Sequence, residues 1–139
     1  MSKFAKLLLA AVVAFGFGAA FAQDQEPTVE FTLHGGIGTA GFQFTGVGGD
    51  IDGVVNPDLN VKVGDVVKVT IISDGMEHDF VIDDLGVKSE SVMGAELSVS
   101  VVFTVTEAGT FTYYCSTPGH ALPDLGIGMF GNFIVAAAD

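Results

Sequence analysis

One cysteine, three histidines, five lysines and no arginine are the whole thiol, imidazole and cationic inventory of this 139-residue chain. A single cysteine cannot close an intrachain disulfide, so no part of the fold rests on one. All 17 acidic residues lie beyond residue 22, where only Lys62, Lys68 and Lys88 oppose them. So acidic a surface repels nucleic acid and anionic lipid and attracts basic partners. The glycine pairs in "GGIG" and "GVGG" do not follow a strand and open a helix, so they read as bends rather than phosphate-binding loops. No apolar run beyond the first 22 residues is long enough to span a bilayer.

What is present begins with "MSKFAKLLLAAVVAFGFGAAFAQDQ". Lys3 and Lys6 precede an apolar run, and Ala20-Phe21-Ala22 supplies the small-x-small pattern at its end. The three parts predict a secretory signal peptide over 1–22, leaving residues 23–139 as one domain with enough chain for a core. No cysteine follows the expected cleavage point, which argues against a lipid anchor there. A lone thiol in an oxidising compartment is a liability unless it is buried or bound to metal. Cys115 is therefore a metal ligand, a nucleophile or an inert core thiol.

Between turn signals such as "NPD", "VGD", "SDG" and "EAG" run short segments of alternating or β-branched character. They cover 29–35, 41–47, 58–65, 66–74, 78–84, 97–105, 109–115 and 130–137. Seven to eight strands at this spacing, with no helical period beyond the leader, predict an all-β sandwich or barrel.

The chemistry collects around "FTYYCSTPGH". Cys115 closes a strand and His120 follows five residues later, across a Pro-Gly turn; His78 opens "HDFVIDD" just after the turn "SDGME". A thiolate, two imidazoles and a distant thioether form the donor set of a copper electron-transfer site, and Met129 is the only methionine after His120. A stiff β-scaffold suits such a site because copper's two oxidation states prefer different geometries. A cysteine nucleophile would want an oriented histidine and an oxyanion site, and no third group is evident. His34 reads as polar surface, Met76 and Met93 as packing residues. "DIDG" (50–53) lacks the later bidentate glutamate of a calcium loop.

On these residues the chain resembles the cupredoxins, the type 1 (blue) copper proteins, and in particular the cupredoxin domains associated with copper nitrite reductases. "GMEHDF", "AGTFTYYCSTPGH" and "GMFGNFIV" carry the resemblance, and "GVGGDIDGVVNPDLNVKVGDVVKVTIIS" is similar to the early strands. The resemblance implies a Greek-key β-sandwich holding one copper at one end. It makes His78, Cys115 and His120 the in-plane ligands and Met129 the axial one. It also implies that Asp79 ties the two ligand loops by hydrogen bonds, and that Phe80, Phe111, Tyr113 and Phe133 supply apolar surroundings. One departure stands out: "ALPDLGIG" places eight residues between His120 and Met129, where the family usually has a shorter step. A loop bulging outward, with Pro123, Gly126 and Gly128 at its bends, would absorb the excess.

The function implied is a periplasmic or extracellular one-electron carrier between redox proteins, not an enzyme. The alternatives are a copper carrier or chaperone, and an accessory domain-like subunit of a copper nitrite reductase or multicopper oxidase. A complete reductase or oxidase needs a second copper centre with several more histidines, and only His34 is left; a binuclear copper domain needs two cysteines. Electrons would leave through an exposed edge of His120, inside an apolar patch of Pro118, Ala121, Leu122, Pro123 and Leu125. The acidic remainder would steer partners with a basic docking surface.

Overall fold

The computed structural model describes residues 25–139 together with the strand Ala19–Phe21 (β1). Apart from the backbone of β1, which pairs antiparallel with Phe103–Val105, the signal peptide expected over 1–22 lies outside the described residues.

Alternation sets the first sheet. In β5 (Val66–Ser73), Val67, Val69, Ile71 and Ser73 are buried while the residues between them stay half-exposed, the period of two that a one-sided strand requires. Strand β2 (Val29–Gly38) runs parallel to β5 on one side; β8 (Ser98–Val105) runs antiparallel on the other. A tight hairpin turns β2 into β3 (Gly41–Val47), with Gly38 opposite Gly41, whose φ of 109° suits glycine. The sheet order is β1-β8-β5-β2-β3.

The second sheet has the order β4-β12-β9-β6-β7. It comprises β4 (Leu59–Lys62), β6 (Val81–Ile82), β7 (Val87–Lys88), β9 (Gly109–Tyr114) and β12 (Phe130–Ala136). Strand β12 lies between β4, to which it is parallel, and β9, to which it is antiparallel. A separate two-stranded hairpin joins β10 (Ala121–Leu122) to β11 (Ile127–Gly128). The inner faces of the two sheets close over one core. Phe103 meets Phe133 at 5.8 Å between ring centroids, and Phe44 meets Tyr113 at 5.7 Å. This is the Greek-key β-sandwich expected from the sequence.

Two expected strands are shorter than their patterns. Of residues 78–84 only Val81–Ile82 joins the sheet, because Asp83–Leu85 turns as a 3-10 segment capped by left-handed Gly86. Of 58–65, Leu59–Lys62 pairs, and the Asp65 carboxylate then accepts from the Lys62 N–H to close the turn.

Tyr113 ties the core to the segment before β4. Its ring is fully buried and its hydroxyl donates to the buried Pro57 carbonyl at 2.6 Å. Burial, with Asp58 nearby, pushes the phenol well above its ordinary pKa, so it stays a donor. Tyr113→Phe should cost about 1–2 kcal/mol, because it strands that carbonyl. Urea unfolding should show a lower midpoint with an unchanged slope; a midpoint equal to the parent's would mean that the bond contributes nothing.

Candidate metal centre

Three loops converge at one end of the sandwich. After β5, Ser73 and Asp74 organise a tight turn. The Ser73 hydroxyl donates to the Met76 carbonyl at 2.6 Å and accepts from the Gly75 N–H at 2.9 Å. Asp74 Oδ1 accepts from the Met76 N–H at 3.0 Å. His78 leaves this turn and exchanges two 2.9 Å backbone bonds with Val92, so its backbone is held although it is outside a sheet. Cys115 follows the last residue of β9, and "STPGH" closes on itself through the His120 N–H to the Thr117 carbonyl at 3.0 Å.

The resulting geometry is compact. Cys115 Sγ lies 3.7 Å from His120 Nδ1 and 4.0 Å from His78 Nδ1, and one donor atom from each residue falls within 4.8 Å of the other two. Cys115, His78 and His120 are all buried. Met129 is fully buried beside them. A Cβ on Gly35 of β2 would stand 2.9 Å from the His78 ring and 3.1 Å from Met129 Cε, so the bare backbone there borders both.

The eight residues between His120 and Met129 do not displace the methionine. They form the β10–β11 hairpin, with Ala121 opposite Gly128 and Leu122 opposite Ile127. Its tip is a 3-10 turn over Pro123–Leu125, ended by left-handed Gly126. At its base the Met129 N–H donates to the His120 carbonyl at 2.8 Å, and the Met129 carbonyl accepts from the Cys115 N–H at 3.1 Å. The chain leaves at His120 and returns beside it, as a bulge would. Asp124 sits exposed at the hairpin tip.

Asp79 has the linking role expected of it. Its Oδ1 accepts from the Ser116 N–H at 2.6 Å and its Oδ2 from the Ser116 hydroxyl. Thr117 Oγ1 adds a bond to the Glu77 carbonyl at 3.1 Å. Phe80, Tyr113 and Phe133 are fully buried and Phe111 packs half-buried on the core, as expected of the apolar surroundings. Among the described residues, every buried side-chain nitrogen and oxygen has a hydrogen-bond partner.

Burial raises the Cys115 thiol pKa, with bonds at Thr117 and Asp79 only partly opposing it. The thiol is thus protonated without a bound cation, and an incoming metal ion must displace that proton. Burial, and then the neighbouring His78, lower the pKa of His120, which favours the neutral imidazole with a free lone pair. A displaceable thiol proton, two imidazole nitrogens facing the sulfur and a buried thioether fit a single type 1 copper ion.

Other residues considered in the sequence stand apart. His34 is part-exposed on β2, 3.7 Å from Glu96. Met76 and Met93 are exposed; Asp52 accepts from the Gly48 N–H inside an ordinary turn. Two contacts had little or no local sequence signal. Phe42 of β3 stacks on the His120 ring at 3.9 Å between centroids and 20° between planes. Asp74 lies 2.9 Å from His78 Nε2; an acid four residues before a histidine was the only hint of that contact. The Phe42 stack also revises the expected exit surface. Of the expected patch, Pro118, Leu122, Pro123 and Leu125 are exposed and Ala121 is half-buried, with Ile127 exposed opposite Leu122; His120 itself is only 6% exposed, with Phe42 stacked on its ring.

No family model matches the sequence, and no curated protein matches it. Solved structures do resemble it. Auracyanin B has a TM-score of 0.55 at 17% identity, covering 87% of this chain and 99% of its own. Auracyanin A, a "blue" copper protein of Chloroflexus aurantiacus, has a TM-score of 0.51 at 19% identity, covering 77% of this chain and 99% of its own. A copper nitrite reductase from Nitrosomonas europaea has a TM-score of 0.56 at 22% identity; the match covers 82% of this chain and 43% of the reductase. The chain therefore has the cupredoxin fold.

Gly128 makes the hairpin base possible. Its φ is 104°, and a Cβ there would stand 2.3 Å from the His120 carbonyl oxygen. Gly126, at φ 67°, has open space around its Cβ position. Gly126→Ala should cost about 1–2 kcal/mol of backbone strain, and Gly128→Ala clearly more, with loss of the Met129–His120 bond. Thermal unfolding of the two metal-free variants checks this; equal losses would mean that the hairpin base is not a close-packed element.

Proposed function

We propose that this chain is an exported type 1 copper protein that carries single electrons between redox proteins. One observation carries the reading: a buried thiol with two imidazole nitrogens turned toward it, all within 4.8 Å of one another. His78 Nδ1, His120 Nδ1 and Cys115 Sγ would hold the copper, and the Met129 thioether would be a fourth, weaker donor. When bound, copper supplies the one-electron couple. The protein contributes a frame that holds four donors in nearly one arrangement for both oxidation states, so that little moves on electron transfer. Burial of all four donors excludes water, which protects the thiolate and raises the potential.

The same frame sets the electron exit. His120 lies under Phe42 and directly precedes the β10–β11 hairpin, whose exposed Leu122, Leu125 and Ile127 offer an apolar area suited to transient docking. The acidic remainder would draw in a partner with a basic surface, giving an on-rate that falls with salt. A copper reductase or an oxidase is a fitting partner class. Residues 1–22 would be the export signal and 23–139 the mature domain, in the periplasm or outside the cell. Among the described residues no helix is long and apolar enough to cross a membrane.

Adding Cu(II) to the purified protein should give an intense thiolate-to-copper band at one copper per chain, and Cys115→Ser should abolish it. Met129→Leu should keep the band and raise the potential, whereas Met129→Gln should lower it. Cyclic voltammetry separates a carrier of electrons from a carrier of copper. A reversible one-electron wave is expected; a tightly held Cu(I) without a wave would overturn the proposal in favour of a copper chaperone. Leu122→Lys should slow electron delivery to a partner several-fold with the spectrum unchanged, and unaltered stopped-flow kinetics would remove the patch from the docking surface.

A further inference from the structure

The two imidazoles of the centre are not equivalent. His120 has an apolar ring, Phe42, stacked on it. His78 is fully buried, and the nitrogen it turns away from Cys115 is 2.9 Å from Asp74 Oδ1. An ionised carboxylate can only accept, so His78 Nε2 must carry the proton. Nδ1, 4.0 Å from Cys115 Sγ, then keeps the lone pair that a metal requires.

Asp74 is itself held in place. Its N–H donates to the Gly35 carbonyl at 3.1 Å, and its Oδ1 also accepts from the Met76 N–H at 3.0 Å. Two consecutive glycines on β2 leave room for the pair. A Cβ on Gly35 would press on the His78 ring at 2.9 Å, and a Cβ on Gly36 would lie 3.1 Å from Asp74 Oδ2. A carboxyl that accepts from the Met76 N–H and faces the His78 ring nitrogen is held in its charged form. The charge is only partly screened, because the side chain is 25% exposed.

We propose that Asp74 is a positioning residue for the metal centre: its carboxylate fixes the His78 tautomer and ring orientation, and its negative charge favours the oxidised state of the bound metal. The tautomer role stands on the chain's own geometry, whereas the redox role rests on the copper reading. An anion hydrogen-bonded to the remote nitrogen of a ligand histidine makes that ligand more basic and stabilises the more highly charged metal. Asp74 therefore sets the potential lower than Phe42 and the buried core alone would.

Two variants separate geometry from charge. Asp74→Asn keeps an acceptor of the same shape without the charge; Asp74→Ala removes both. In the metal-free protein, long-range proton–nitrogen NMR of the His78 ring should show one tautomer, protonated at Nε2, in the parent and in Asp74→Asn. In Asp74→Ala it should show a mixture. With Cu(II) added, Asp74→Asn should keep the thiolate band and have a higher potential than the parent. Asp74→Ala should bind Cu(II) about tenfold or more weakly. If the parent gives no thiolate band, the copper reading fails while the tautomer measurement still judges Asp74. A purely structural Asp74 would lower the melting temperature of both variants and leave the His78 tautomer and the Asp74→Asn potential at their parental values; that result overturns the proposal.

Discussion

Two backbone hydrogen bonds at Met129 hold the metal-binding end of this protein together. The Cys115 N–H donates to the Met129 carbonyl, and the Met129 N–H donates to the His120 carbonyl. Through them a thiol just after one strand, a histidine after a turn and a thioether just before another strand share one small volume. Everything between His120 and Met129 can change in length provided that it closes as a hairpin, as residues 121–128 do. The glycine at its base permits that closure, since a side chain there would meet the His120 carbonyl.

The third loop reaches the site by different means. His78 lies outside the sheets, and its two backbone bonds to Val92 are joined by side chains: Asp74 from the turn before it and Asp79, its neighbour, which grips Ser116. The Asp74 carboxylate thus braces His78, while an aromatic ring, Phe42, covers His120. Charge and apolar cover are divided between the two imidazoles. That division separates the tuning of the site from the surface where electrons would cross.

The donors were legible in the sequence because their signals are local. Cys115 and His120 lie within one turn, His78 directly follows another, and Met129 follows a glycine just before a strand. The sandwich was legible because the strands alternate with a period of two between strong turn residues. Strand ends were less legible: 78–84 reads as a strand, yet the bridge to Val92 and the turn at Asp83–Leu85 divert most of it from the sheet.

By itself, then, the sequence determined the β-class, the candidate donors that the fold brings together and the acidic surface, since each depends on residue type and near-neighbour spacing. Tertiary structure alone decided which remote side chains meet those donors. Phe42 reaches His120 and Gly35 lies against His78 because β2 pairs in one particular register with β5 and β3 in turn with β2, and no short stretch of chain encodes those registers. Burial of the thiol, and with it the need for a metal ion to displace its proton, likewise exists only once both sheets have closed over it.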